Sequence, residues 1–170
     1  MVFGIITPPR GNVAYAASPS SASAIWLDGT SGEDNNYGAK EKPVKTFAKA
    51  LALMPDGGQM NVVRLNESVI NFNKPGTLNF TEDVTMPVNV DKTAITLGSG
   101  AHLTVADGKT LTFLQQENID NKIGIGIQIK SGAEVNDGHY VFKFPKNGFA
   151  FITSGNIVGT SKDKLKMDIS

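Results

Sequence analysis

Acidic and amide side chains are concentrated in one loop near the start of the chain, residues 28–38. Asp28, Glu33 and Asp34 carry carboxylate oxygens, the ligands that Ca²⁺ prefers in proteins. Their spacing differs from the alternating ligand positions of an EF-hand loop. Asp, Asn and Gly are also the residues that hydrogen-bond to nearby backbone in turns. We therefore expect a loop held by its own hydrogen bonds and no cofactor, with a Ca²⁺ site at these three residues as the alternative.

Three aromatic side chains are candidates for ligand binding: Trp26, Tyr37 and Tyr140. An aromatic ring offers a flat apolar face with a polar tip, which suits stacking against a sugar ring. For Trp26 we favour a packing role beneath a helix over stacking on a sugar. These three residues are the predicted ligand-binding residues of the chain.

The sequence predicts no catalytic residue. A polysaccharide lyase needs a Lys or Arg base beside a Ca²⁺-bound uronate, but Lys130, Lys143 and Lys146 have no acidic pair near them in sequence. A glycoside hydrolase needs paired carboxylates, whereas the Asp residues are scattered through turns. His102 and His139 are isolated, and we expect both to be ordinary surface residues of strands.

Composition limits the kinds of partner. The chain has 16 Lys and Arg residues and 16 Asp and Glu residues, so its formal net charge is zero. Nucleic-acid binding needs a basic surplus, so we expect no nucleic-acid partner. No cysteine is present, which removes disulfides, thiolate nucleophiles and Cys-ligated zinc. No segment reaches the roughly 18–20 uninterrupted apolar residues of a membrane span. We also expect the chain to be a monomer.

Residues 1–24 resemble a truncated signal peptide, an export segment whose start we expect upstream of Met1, followed by a linker. Residues 2–6 are an apolar run, and Ala14-Tyr15-Ala16 matches the small-x-small pattern of a signal-peptidase site. The alternative is a leader that contains this pattern by chance. The small-residue stretch up to Ala24 is typical of a flexible linker. We expect a secreted or cell-wall protein.

The ordered part begins with a strand at Ile25 and the acidic loop. Apolar residues at helical spacing, Val44, Phe47, Leu51 and Met54, predict a helix over residues 43–54. These elements form a predicted N-terminal region, residues 25–58. From residue 59 to 170 short strands alternate with turns that contain Gly.

Two architectures fit many short alternating strands. Asp-Gly and Asn-Gly turns favour antiparallel hairpins, and therefore a sandwich. The shortness of the strands and a repeated Gly-Ala phrase, at Gly100-Ala101 and Gly132-Ala133, favour a solenoid of stacked coils. We expect an all-β solenoid with one helix over its first coil.

The start of the ordered part resembles a known family. The order Trp26-Leu27-Asp28-Gly29, Gly32-Glu33-Asp34-Asn35 and Pro43-Val44-Lys45-Thr46-Phe47 is similar to the N-terminal cap of pectate-lyase-like proteins. That family includes polysaccharide lyases and many bacterial surface adhesins. The resemblance implies a right-handed parallel β-helix with a capping α-helix.

The resemblance also implies a function. We expect a non-catalytic part of a secreted or cell-surface bacterial protein, whose β-helical surface adheres to a host surface or a glycan ligand. The alternatives are a polysaccharide lyase or glycoside hydrolase acting on an acidic polysaccharide, and a spacer that holds another domain away from the cell. Strand-like sequence up to Ser170 leads us to expect further coils beyond it.

Overall fold

The structure is a computed structural model that describes residues 24–115, 123–144 and 148–170. The predicted export segment and nearly all of the predicted linker lie outside the described residues. Within the described ranges the chain forms one helix and fourteen short strands. They are β1 (Ala24–Asp28), α1 (Phe47–Leu53), β2 (Gly58–Arg64), β3 (Ile70–Phe72), β4 (Gly76–Phe80), β5 (Val84–Pro87), β6 (Thr93–Leu97), β7 (Ala101–Val105), β8 (Thr110–Leu114), β9 (Gly124–Ile129), β10 (Glu134–Val135), β11 (Gly138–Lys143), β12 (Gly148–Thr153), β13 (Asn156–Ile157) and β14 (Leu165–Ile169).

The strands form three parallel sheets. Sheet 1 has the order β1-β2-β4-β7-β10-β13, sheet 2 the order β5-β8-β11-β14, and sheet 3 the order β3-β6-β9-β12. From β4 onward the chain visits sheet 1, sheet 2 and sheet 3 in turn, and then begins again. Every pairing between the described strands is parallel. The expected all-β class is confirmed, and an antiparallel sandwich is excluded for the described residues.

The helix is shorter than the apolar spacing predicts. Val44 is extended rather than helical, because it pairs with strand β1. Its N–H donates to the Trp26 carbonyl, and its carbonyl accepts from the Asp28 N–H, each at 3.0 Å. The Thr46 hydroxyl then accepts from the Lys49 N–H at 3.2 Å and caps the helix. The predicted start near residue 43 was therefore wrong, although Val44 is buried as expected.

Alternation of side chains along each strand builds the core. Strands β4 and β7 bury their first, third and fifth residues and leave the others partly exposed. Parallel register places like residues above one another, as with Leu78 beside Leu103 and Phe113 beside Phe142. Phe47 and Ala50 of α1 join the same core. Among the residues that the structure describes, no helix has the length and apolar composition needed to cross a membrane.

The repeated Gly-Ala phrase marks equivalent turns before strands of sheet 1. Gly100 and Gly132 have φ values of 75° and 77°, the left-handed region that glycine adopts at low cost. The Gly100 N–H donates to the Gly132 carbonyl at 2.8 Å, and the Gly76 N–H donates to the Gly100 carbonyl at 3.0 Å. The turns therefore stack in the same way as the strands that follow them.

Candidate functional site

Asp28, the first predicted calcium ligand, is buried and closes the loop that follows β1. Its Oδ1 accepts from the Thr30 and Ser31 N–H groups at 2.9 and 3.1 Å, and its Oδ2 lies 3.4 Å from Arg64 Nη1. Burial opposes ionisation, but the hydrogen bonds from Ser31 and Thr30 and the charge of Arg64 outweigh it. The pKa of this carboxyl is therefore lowered. Both oxygens of Asp28 take part in holding the loop.

Asp34, the second acidic candidate, fastens the loop to the start of α1. Its Oδ1 accepts from the Lys45 and Thr46 N–H groups, both at 2.9 Å, and its Oδ2 accepts from the Thr46 hydroxyl at 2.8 Å. Desolvation opposes ionisation, yet the hydrogen bonds from Thr46 and Lys45 and the charge of Lys49 lower the pKa of Asp34. The carboxylate thus satisfies backbone donors that precede the helix.

Replacing Asp34 with alanine is expected to lower the free energy of unfolding by about 1–2 kcal/mol, because two backbone donors and a hydroxyl lose their acceptor. The folded-state pKa lies below the unfolded one, so the carboxylate stabilises fully above the unfolded pKa. That contribution is lost as the pH falls through the folded pKa. Urea unfolding of the wild type and Asp34→Ala over a range of acid pH measures the loss.

The control for this experiment is Glu33→Gln, which removes the same charge one residue away. It should leave the stability and its pH dependence almost unchanged. A stability difference between wild type and Asp34→Ala that persists unaltered into strong acid would contradict the role assigned to the Asp34 carboxylate.

Glu33, the third candidate ligand, is exposed. Its backbone bonds within the loop, with the N–H donating to the Pro43 carbonyl at 3.1 Å. In residues 24–115, 123–144 and 148–170, no group of three or more His, Cys, Asp and Glu side chains is placed to hold a metal ion. The structure therefore does not bring Asp28, Glu33 and Asp34 together as one ligand set.

Tyr140 was wrongly predicted to be a ligand-binding residue. It is fully buried in the core, and its hydroxyl donates to the Leu103 and Asn136 carbonyls at 3.2 and 3.1 Å. Burial, with a smaller effect of the Asp137 charge, raises the pKa of this phenol. In strand β11 the residues at even positions point inward, so the ring packs inside the molecule.

Trp26 lies on the outer face of sheet 1. It alternates with buried Ile25 and Leu27, so its ring is on the opposite side of β1 and is half-buried. The Lys40 ammonium lies 5.1 Å from the centroid of the ring. Trp26 is thus outside the apolar core that contains the helix residues, contrary to the expected packing role beneath a helix. Tyr37, in the adjoining loop, is 57% exposed.

A row of polar side chains continues from Trp26 across sheet 1. Parallel register places Trp26 beside Asn61, Asn61 beside Asn79, and Asn79 beside Thr104. The Asn79 amide donates to Asn61 Oδ1 at 2.9 Å, and the Thr104 hydroxyl donates to Asn79 Oδ1 at 3.0 Å. We call Asn61, Asn79 and Thr104 the amide row. Each amide uses only part of its hydrogen-bonding capacity within this row.

A second row runs beside the amide row on the same face. Its members share one register position: Gln59, Thr77, His102, Glu134 and Asn156. Gln59 Nε2 donates to Asn61 Oδ1 at 2.6 Å, which ties the two rows together. His102 Nδ1 lies 3.2 Å from Glu134 Oε2. The two rows and Trp26 form a patch of amides, hydroxyls and the His102–Glu134 contact, within which Asn61 is itself buried; we call this patch the polar face.

Sequence reasoning overlooked the polar face, although the sequence holds a signal for it. Thr77-Leu78-Asn79 and His102-Leu103-Thr104 share a polar-Leu-polar pattern, which begins one residue after Gly76 and two residues after Gly100. Aligning the strands on this pattern, and not on the glycines, would have superposed these residues. Comparisons with protein families, with curated proteins and with solved structures found no match to this chain.

Proposed function

We propose that this chain is a capped, right-handed parallel β-helix of the pectate-lyase-like kind. Three observations support the proposal: the sheets are parallel, the chain visits them in a fixed order, and equivalent turns stack. Right-handed crossing is the strong rule for parallel strands joined within one sheet. The helix α1 and the acidic loop lie beside β1, at the edge of sheet 1, where a cap would shield the open edge.

The function that the geometry supports best is non-catalytic glycan binding by a secreted or cell-surface bacterial protein. One observation carries this proposal, the register of Trp26 with the amide row. An aromatic ring offers a stacking platform, and the amides and hydroxyls offer donors and acceptors for sugar hydroxyls. Neighbouring strands are about 4.8 Å apart, close to the length of one sugar unit in an extended glycan. A glycan lying across the strands would therefore meet Trp26, Asn79 and Thr104, while the buried Asn61 holds the Asn79 amide in place.

Replacing Trp26 or Asn79 with alanine is expected to weaken glycan binding about tenfold each, since each loses about 1.4 kcal/mol of stacking or hydrogen bonding. Binding is measured by calorimetry against the best ligand found in a panel of neutral glycans and polyuronates. Asn71→Ala is the matched control, because Asn71 is an exposed Asn on the outer face of sheet 3. It should bind like the wild type.

The same panel separates binding from cleavage. It is read for the ultraviolet-absorbing product of elimination, with and without Ca²⁺. Binding without product, weakened by Trp26→Ala and Asn79→Ala alone, supports the proposal. Equal weakening by all three variants contradicts the assignment of the polar face. A product that disappears on chelation would replace the binding function with a lyase.

A further inference from the structure

Three polar side chains form a chain of hydrogen bonds across the outer face of sheet 2. Thr110 lies on β8, His139 on β11 and Asp168 on β14. Thr110 Oγ1 is 3.2 Å from His139 Nδ1, and His139 Nε2 is 2.7 Å from Asp168 Oδ2. Each residue is separated from the next by 29 positions. The three residues are therefore brought together by the stacking of strands and not by a local motif.

The direction of these hydrogen bonds follows from their chemistry. An ionised carboxylate only accepts, so Asp168 requires the hydrogen of a neutral imidazole to be on Nε2. The other ring nitrogen, Nδ1, is then an acceptor, and the Thr110 hydroxyl donates to it. A hydroxyl bonded to a basic nitrogen, with a carboxylate orienting the ring, is the arrangement that activates a hydroxyl nucleophile. The tautomer is fixed by Asp168.

Thr110 and His139 open into a cleft of about 150 Å³. The cleft is lined on its other sides by lysines and acidic residues, among them Lys109, Lys164 and Lys166. Lys109 is paired with Glu82, and Lys164 lies 2.6 Å from Asp107. Lys166 occupies the register position beside His139. The cleft is therefore lined by charges of both signs, since Asp107 and Asp163 accompany the lysines, and its volume suits a small group.

We propose that this cleft is a second site, separate from the polar face, that hydrolyses small acyl esters such as an acetyl ester. Thr110 Oγ1 attacks the ester carbonyl carbon, and its proton passes to His139 Nδ1. The C–O bond to the alcohol then breaks, and the alcohol leaves with that proton. Water next attacks the acyl-Thr110 ester, giving its proton to Nδ1. The carboxylic acid leaves, and Thr110 regains its hydrogen.

Each residue has a distinct part in this reaction. Thr110 and His139 are the catalytic residues, because they touch the reacting atoms. Asp168 is a positioning residue, since it acts only through the imidazole ring. Lys166 lines the cleft at the register position beside His139, and in this proposal its positive charge stabilises the negative charge that develops on the carbonyl oxygen in the transition state.

The test uses the full chain with p-nitrophenyl acetate, followed by acid quenching and mass analysis of the peptide that contains Thr110. The wild type should release p-nitrophenol and carry an acetyl group on Thr110. His139→Ala should lose at least about 100-fold in rate, the usual contribution of a general base. Thr110→Val should lose the adduct, while Thr110→Ser should keep both adduct and turnover. Asp168→Asn should lower kcat more than it raises KM.

A matched control accompanies these variants. Thr112→Val changes an outward Thr two positions along the same strand. It should hydrolyse the ester at the wild-type rate. Absence of hydrolysis by the folded wild type, or equal rates in wild type and His139→Ala, overturns the proposal. Retained turnover in Thr110→Val also overturns it, since Thr110 would then not be the nucleophile.

Discussion

Replacing Phe142 with alanine is expected to lower the free energy of unfolding by about 3–5 kcal/mol, the range for deleting a buried aromatic ring. Phe142 is fully buried on β11. Its ring stacks on Phe113, with centroids 4.9 Å apart and planes 5° apart. It also meets Phe151 edge-on at 4.8 Å. The ring therefore contacts aromatic side chains of sheet 2 and of sheet 3, so its removal leaves a cavity between two sheets.

The measurement for Phe142→Ala is equilibrium unfolding in urea, followed by circular dichroism. Val141→Ala is the matched control, because Val141 is the preceding residue of the same strand and points outward, where it is partly exposed. It should cost less than about 1 kcal/mol. Comparable losses for the two variants would show that the strand contributes through its backbone alone and would refute the packing argument.

Replacing Gly76 with alanine is expected to destabilise the fold by about 3 kcal/mol, through backbone strain and a clash. Gly76 has a φ of 137°, which residues with a Cβ rarely adopt. A Cβ at this position would lie 2.4 Å from the Gly58 carbonyl oxygen of the neighbouring strand. Because that oxygen belongs to the backbone of β2, it cannot move aside without disturbing the pairing of β2 with β4.

The variant Gly108→Ala shows how much of the loss comes from the clash and how much from a positive φ. Gly108 also has a positive φ, 73°, but a Cβ there would meet no atom within 4 Å. This variant should cost only about 1 kcal/mol, the penalty for a left-handed residue. Thermal and urea unfolding of both variants provides the comparison. If Gly76→Ala were no worse than Gly108→Ala, close approach of β2 and β4 would not be the reason for glycine at position 76.

Local pattern predicted the elements but not always their limits. Alternation in Ala101-His102-Leu103-Thr104-Val105 indicated a strand with one buried face, and the structure confirms it. The apolar spacing predicted a helix, yet Val44 is extended because β1 offers it a backbone partner. A pairing with a residue 17 positions away competes with the helix, and local spacing does not contain that information.

The identity of the buried face was harder to predict where both faces carry large side chains. In β11, Tyr140 and Phe142 point inward while His139 and Val141 point outward. Alternation alone permits either pair of residues to face the core. The register of Tyr140 beside Leu111 decides it, because Leu111 belongs to the core of the preceding strand of sheet 2. The prediction that Tyr140 binds a ligand failed for this reason.

By itself the sequence determined the short strands, the turn glycines, the single helix and the zero net charge, since each depends on composition or on neighbours along the chain. Only the tertiary structure decided which distant side chains meet. It directed the oxygens of Asp28 and Asp34 to backbone donors, aligned Trp26 with Asn61, and joined Thr110, His139 and Asp168. The physical reason is that parallel register is set by long-range pairing, so contacts between strands depend on how many residues separate the paired strands along the chain.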